Sequence, residues 1–163
     1  MKLRAVRKTS MAAVVFVAIA ASSLAAQGGH PSFSGTWILD TARSDKSSFT
    51  PQSATYHVTQ LGDSLILDRE TAGTGKAHMV YELTGKPRTN TLPLIGLSTA
   101  ATSTVSWHGD SLVVHTLSHP QDADLVQTDI WVLANGGREL RLKRDAVYAG
   151  SSMGSPTLVF IKQ

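Results

Sequence analysis

The chain has 163 residues, with 15 basic and 12 acidic side chains and no cysteine, which excludes disulfide frameworks, cysteine-ligated metal sites and thiol catalysis. Four basic residues lie within the first ten positions, so residues 27–163 retain 11 basic against 12 acidic side chains, a net charge of −1. A nucleic-acid partner would require a basic face on this region, and we therefore predict none.

The N-terminal segment has the pattern of a secretory signal peptide: basic residues without acids, an apolar run from about Met11 to Ala21, and then small residues. The apolar run is shorter than the roughly 20 residues that span a bilayer, which argues against a permanent membrane anchor. We predict a signal peptide over residues 1–26, cleaved after Ala25 or Ala26, and an exported protein that is periplasmic or extracellular. Without a cysteine, lipid modification of a cysteine at the cleavage site is excluded.

Residues 27–163 are predicted to form a single domain made of strands. Short apolar and β-branched runs recur between clusters of Gly, Asn, Asp and Pro, whereas helical periodicity is hard to find. Two segments do not fit this pattern: 41–51 is predicted to hold a helical turn, and 86–98 a long loop or lid. The nine predicted strands are 35–40, 54–60, 65–70, 77–83, 101–107, 112–117, 127–134, 138–145 and 157–162.

The sequence Gly-Asp-Ser-Leu occurs twice, and both copies are predicted to be hairpins with two-residue loops. With Gly109-Asp110 as the loop, Trp107 faces Leu112 and Val105 faces Val114, so that one face of the hairpin becomes wholly apolar. The hairpin with the loop at Gly62-Asp63 likewise places its apolar side chains on one face. Its apolar face then carries Tyr56, Val58, Leu65 and Leu67.

A third hairpin is predicted around a three-residue loop, Asn135–Gly137. This register places Trp131 on the outer face, near Arg141. The predicted cross-strand pairs are Val132 with Leu140, Ile130 with Leu142 and Thr128 with Arg144.

Gly-Asp-Ser-Leu also resembles the nucleophile motif of GDSL-type hydrolases, which place the serine after a strand of an α/β fold. This chain lacks the alternation of strands and helices, and it has no histidine after His119. Two equivalent serines, Ser64 and Ser111, argue against a unique nucleophile, because a catalytic serine needs its own base within hydrogen-bond reach. We therefore predict a turn role for both motifs, no catalytic residues and no enzyme activity.

Metal and cofactor sites are not predicted either. His115 and His119 lie four residues apart, a separation of about 13 Å along a strand, which is too far for one ion. Asp122 and Asp124 follow them, but only a bend at Pro120 would bring the four together. The three glutamates form no pair at a diagnostic spacing, and the sequence Gly-Thr-Gly-Lys at 73–76 lacks the full phosphate-loop pattern.

The stretches FSGTWILDTARSD, WHGDSLVV and GRELRLKR together resemble lipocalins and related calycins, including small exported bacterial lipocalin-like proteins of unassigned function. The resemblance implies an all-β fold, an antiparallel up-and-down β-barrel of eight to nine strands. It also implies that Trp37 plugs the closed end of the barrel while an arginine from a late strand packs over the indole. Arg144 is the residue expected in that role, with Arg138 and Arg141 as alternatives.

A barrel of this size has room for side chains or for one small ligand. We predict a non-enzymatic protein that binds a small apolar molecule such as a lipid, an isoprenoid or an aromatic compound. Segment 86–98 would cover the mouth. The alternative is a packed barrel that acts as a structural or interaction module of the cell envelope, with Trp131, Ile66 and Leu117 forming an outer apolar patch. The predicted ligand-binding residues are Tyr56, Val58, Leu65, Leu67, Val105, Trp107, Leu112, Val114, Ile130, Val132, Leu140 and Leu142.

Overall fold

A computed structural model describes residues 29–163, and the signal peptide predicted over residues 1–26 lies outside that range. The described residues form eleven strands and two short 3-10 turns, at Pro120–Asp122 and Asn135–Gly137. Within this part of the chain, no helix has the length and hydrophobicity to cross a membrane. The strands are β1 Gly35–Leu39, β2 Ala54–Leu61, β3 Ser64–Thr71, β4 Gly75–Glu82, β5 Arg88–Leu94, β6 Leu97–His108, β7 Ser111–Ser118, β8 Leu125–Ala134, β9 Glu139–Tyr148, β10 Ser151–Ser152 and β11 Thr157–Lys162.

All strand pairs are antiparallel, and the sheet runs in the order β4-β3-β2-β1-β11-β9-β8-β7-β6-β5, with β10 paired to β9. The two end strands approach each other through the side chain of Asn90 on β5. Its amide nitrogen donates to the carbonyl oxygen of Val80 on β4, and its amide oxygen accepts from the Val80 N–H. These two side-chain hydrogen bonds take the place of a backbone pair between β4 and β5, and the sheet is a nearly closed barrel. The predicted all-β antiparallel barrel is confirmed, with more strands than the eight to nine expected.

The additional long strand lies in segment 86–98, where the prediction of a loop or lid is wrong. Residues Arg88–Leu94 pair with β6 in continuous register, and the chain reverses at Ile95-Gly96 between Leu94 and Leu97. Pro93 is tolerated because β5 is an end strand, where one side makes no regular ladder. Segment 41–51 begins with a single helical turn, as predicted: the Ser44 N–H donates to the Asp40 carbonyl oxygen at 3.1 Å, and the side chain of Asp40 accepts the backbone N–H groups of Ala42 and Arg43.

The two Gly-Asp-Ser hairpins have the predicted register. Val58 lies opposite Leu67 in the first, and Trp107 opposite Leu112 in the second. Gly62 and Gly109 adopt φ values of 54° and 61°, the left-handed conformation that a tight reversal requires and that glycine adopts without strain. Each hairpin therefore directs its apolar face into the barrel.

The predicted register of the third hairpin is wrong by one residue. The loop has four residues, 135–138, so that Leu133 lies opposite Leu140 and Trp131 opposite Leu142. Trp131 is therefore inside and 1% exposed, whereas Ile130 and Val132 face outward, with Val132 36% exposed. The observed register buries the largest side chain of the strand, and it places two opposite charges, Asp129 and Arg144, side by side in the interior.

The N-terminal segment closes the barrel end that carries the hairpin loops. The ring of His30 stacks on Trp107 with 4.2 Å between centroids, and the Phe33 side chain is fully buried against Trp107 and Trp131. The Trp37 indole N–H donates to the Phe33 carbonyl oxygen at 2.9 Å. This end of the barrel is plugged, as the lipocalin resemblance implied, but by the stretch 30–33 together with the indole.

The cation over Trp37 is Lys162 rather than an arginine. The Lys162 Nζ lies 5.1 Å from the centre of the indole ring, whereas Arg144 points into the interior and pairs with Asp129. The predicted role of Arg144 as the cover of Trp37 is therefore wrong. Gly35 has a φ of 145°, a backbone conformation that residues with a side chain rarely adopt, which explains the glycine two residues before the tryptophan.

Of the two arginines named as alternatives, Arg141 lies on the outer face, where it takes part in a second charged cluster. The carboxylate of Glu139 is 1% exposed because side chains cover it: it accepts from Arg43 at 2.6 Å, from Arg141 at 2.7 Å and from Asn135 at 2.5 Å. Arg138 is exposed in the hairpin loop. The hydrogen bonds from Arg141 and then from Arg43 lower the pKa of Glu139 below its ordinary value.

Candidate functional site

A pocket of about 360 Å³ opens at the barrel end opposite the N-terminal plug. Its walls come from barrel strands and from four turn segments that surround the mouth: 48–51, 72–74, the reversal at Ile95, and 153–156. Apolar side chains dominate the walls. These are Phe49, Pro51, Leu92, Pro93, Leu94, Ile95, Leu125, Ala146, Met153 and Pro156.

The base of the pocket is polar and is organised by the register of β8 and β9. Asp129 and Arg144 lie directly opposite each other, and the arginine donates from Nε and Nη2 to the two carboxylate oxygens at 2.8 and 2.7 Å. Gln127, two residues earlier on β8, donates to the same carboxylate at 2.9 Å. The Asp129 and Arg144 side chains are 8% and 21% exposed, so this bidentate pair is largely removed from water.

Burial and this pairing have opposite effects on Arg144. Burial disfavours the charged guanidinium, but the attraction and hydrogen bonds of Asp129 outweigh that effect and raise the pKa of Arg144, which stays charged. Burial is the main cause that raises the pKa of Tyr81, and the negative charge of nearby Asp129 raises it further. The Tyr81 phenol is therefore neutral throughout the physiological pH range.

A second interior arginine, Arg69 on β3, has no such partner. It follows Leu65 and Leu67 on the inward face of the strand, opposite Tyr56 on β2, and it lines the pocket. Its Nε is buried, and no acceptor among residues 29–163 reaches it. The hydroxyl of Thr71, the next inward residue of β3, is also buried without a partner in the described part of the chain.

The structure distributes the twelve predicted ligand-binding residues over five places. Tyr56 lines the pocket, and Leu67 lines a much smaller void of about 10 Å³ just below it. Trp107 lies at the plugged end, and Ile130 and Val132 are on the outer face because of the register error. The others are buried in the packed half of the barrel: Val58, Leu65, Val105, Leu112, Val114, Leu140 and Leu142.

Sequence reasoning placed Arg144 inside the barrel and segment 86–98, which contains Ile95, at the mouth, but it missed Arg69, Thr71, Gln127 and Asp129 and the turn residues Phe49 and Met153. Arg69 was within reach, since the alternation that placed Leu65 and Leu67 inward continues to Arg69 and Thr71. Asp129 required the correct register of the third hairpin. No periodicity marks Phe49 or Met153, because neither lies in a strand.

The histidines of the outer surface pair with neighbouring side chains. His78 lies 2.6 Å from Asp68, and His119 lies 2.7 Å from Asp124 across the turn at Pro120. Within residues 29–163, no three histidine, aspartate or glutamate side chains are grouped as metal ligands would be. Ser111 begins β7 at the hairpin loop, and His115 farther along that strand contacts Thr128.

The described strands form a nearly closed antiparallel β-barrel with a lipocalin-like fold. Among solved structures, the chain is similar to a secretory abundant heat soluble protein from Ramazzottius varieornatus, with a TM-score of 0.60, 12% identity, and coverage of 80% of this chain and 94% of that one. Secretory abundant heat soluble protein 4 from the same organism gives a TM-score of 0.54 and 11% identity at the same coverage. No protein-family model matches the sequence, and no curated protein matches it.

Proposed function

We propose that the protein is a non-enzymatic binding protein that holds one small, largely apolar ligand in the pocket at the open end of the barrel. The observation that carries this proposal is the uneven filling of the interior. One half is packed by aromatic and leucine side chains, whereas the other half contains a space of about 360 Å³. That volume lies within the range of roughly 300–1,000 Å³ typical of small-molecule sites.

The mouth of the pocket supports the same function. Phe49 and Ile95, on two different turns, are 46% and 80% exposed, although both side chains are large and apolar. Exposed apolar groups around a concave opening are typical of ligand-binding grooves. An entering apolar molecule would cover these side chains, and the associated removal of apolar surface from water would favour binding.

Export completes the proposal. The basic N-terminus, the apolar run and the small residues before Ala26 support a cleaved signal peptide and a site of action outside the cytoplasm. Mass spectrometry of the protein recovered from its host's envelope and culture medium tests this: a mature N-terminus near residue 27 supports export, and an intact leader contradicts it.

Binding is tested by titration with Nile red, a neutral dye whose fluorescence rises in apolar surroundings. We expect saturable binding with one site. Ala146→Trp places a large side chain in the pocket wall and is expected to weaken binding at least about tenfold. Ala100→Trp, on the exposed face of β6, is the matched control and is expected to bind as the wild type does. Absence of saturable binding, or equal binding by both variants, would contradict the proposal.

A second candidate is an interaction module of the cell envelope. Leu117, Val126 and Val147 lie opposite one another on β7, β8 and β9, and they form an exposed apolar row across the outer face. Trp131, which was expected in such a patch, is buried instead. Sedimentation of the wild type and of Val126→Ser distinguishes this function: self-association that the substitution abolishes supports it, and identical monomers argue against it.

A further inference from the structure

We propose that the ligand carries an anionic head group, a carboxylate or a phosphate monoester, which binds Arg69 at the base of the pocket and Thr71, the next inward residue of β3 toward the mouth. This inference rests on the proposed binding function and specifies the chemical class of the ligand. The apolar tail would extend from the base toward the mouth, along Leu92, Leu94 and Met153.

The charges at the base of the pocket are the first argument. Two guanidinium groups, Arg69 and Arg144, line this region, and Asp129 is the carboxylate that lines it with them. Asp129 binds Arg144 through both of its oxygens and also accepts from Gln127. The described residues therefore leave one positive charge of the interior without a counterion.

The unpartnered hydrogen-bond donors are the second argument. A buried nitrogen of a charged group without an acceptor is costly, and buried polar groups in folded proteins are normally hydrogen-bonded. The Nε of Arg69 and the hydroxyl of Thr71 are both in this state among residues 29–163. An anion bound between Arg69 and Thr71 would satisfy both groups and would also neutralise the uncompensated charge.

The positions of these two donors are the third argument. Arg69 and Thr71 are successive inward residues of one strand, separated by about 7 Å along it, and both line the same pocket. The arginine side chain is long enough to bridge that separation, so one carboxylate or phosphate can accept from both groups. Tyr56, opposite Arg69 on β2, lies at the same level of the pocket.

Isothermal titration calorimetry with three ligands of equal chain length tests the inference: decanoate, decyl phosphate and the neutral decanol. We expect the wild type to bind at least one of the two anions at least about tenfold more tightly than decanol, since hydrogen bonds to charged groups are the strong ones. The ratio between the two anions identifies the head group.

The variants are Arg69→Met, which keeps an unbranched apolar stem and removes the charged guanidinium group, and Thr71→Val, which keeps the shape and removes the hydroxyl. Arg69→Met is expected to remove the preference for the anions over decanol, and Thr71→Val is expected to reduce that preference partially. Arg88→Met is the matched control, because Arg88 is exposed on the outer surface. It is expected to leave every affinity unchanged.

The outcomes separate this inference from the function on which it rests. If decanol binds the wild type as tightly as both anions do, or if Arg69→Met keeps the preference, the anionic head group is refuted and the apolar pocket stands. If no ligand binds and Nile red also fails to bind, both proposals are refuted. Circular dichroism of each variant establishes that the barrel is folded before affinities are compared.

Discussion

Replacing Asp129 by asparagine is expected to destabilise the protein strongly, because it removes the charge that compensates Arg144 in the interior. The two side chains are 8% and 21% exposed and share two hydrogen bonds of 2.8 and 2.7 Å. Removing one partner of such a buried pair costs about 3–5 kcal/mol. At about 3 °C per kcal/mol for a protein of this size, the melting temperature should fall by roughly 10–15 °C.

The barrel contains a matched control for this substitution. Asp145 on β9 contacts Lys143 at 3.8 Å, but these side chains are 46% and 52% exposed on the outer face. Exposed pairs contribute about 0–1 kcal/mol, so Asp145→Asn should change the stability little. The double variant Asp129→Leu with Arg144→Met, which replaces the pair by apolar side chains, should recover most of the stability lost in Asp129→Asn.

Urea unfolding followed by tryptophan fluorescence measures these differences, since Trp131 lines the same small void as Asp129. A fall in the unfolding free energy that is no larger for Asp129→Asn than for Asp145→Asn would refute the interior pairing. The same conclusion would follow if the double variant were less stable than Asp129→Asn.

Three further predictions concern stability. Glu139 has a lowered pKa in the folded state, so its contribution to the unfolding free energy is present above its ordinary pKa of 4.5 and is lost as the pH falls through the folded pKa. Urea unfolding between pH 2 and 5 should show this dependence of the unfolding free energy on pH. Glu139→Gln should reduce the dependence, whereas Glu70→Gln, at an exposed position, should not. Trp131→Ala should cost about 3–5 kcal/mol and Val132→Ala less than about 1 kcal/mol, and the reverse order in urea unfolding would favour the three-residue loop. Arg69→Met should raise the unfolding free energy of the ligand-free protein by about 1–3 kcal/mol, and with it the melting temperature. A melting temperature below that of the wild type would show that Arg69 already has a partner.

The hairpin loops show which part of the fold can be predicted from sequence. In the two Gly-Asp-Ser-Leu hairpins, the two-residue Gly-Asp loop fixes the register of the flanking strands. The apolar side chains beside both loops therefore face the barrel interior, as predicted. The loop at 135–138 allows two lengths, and a difference of one residue exchanges the inner and outer faces of β8 relative to β9. Alternation alone could not decide between them, because both registers bury apolar side chains.

The site was less predictable than the barrel, for two physical reasons. The mouth is built from turn residues such as Phe49 and Met153, which converge only once the barrel has closed. The base is built from charged residues at inward positions of strands, where an apolar pattern is expected. Arg69 breaks that pattern within a strand that was correctly placed, and such local departures from the general rule are characteristic of functional sites.

Native mass spectrometry of the protein purified from its own host tests the central claim most directly, because it does not presuppose the identity of the ligand. We predict one copurifying small molecule bound to the wild type and to Ala100→Trp, and its loss from Ala146→Trp, which places a large side chain in the pocket. Spectra of the bare chain for the wild type and for Ala100→Trp would contradict a ligand-binding barrel.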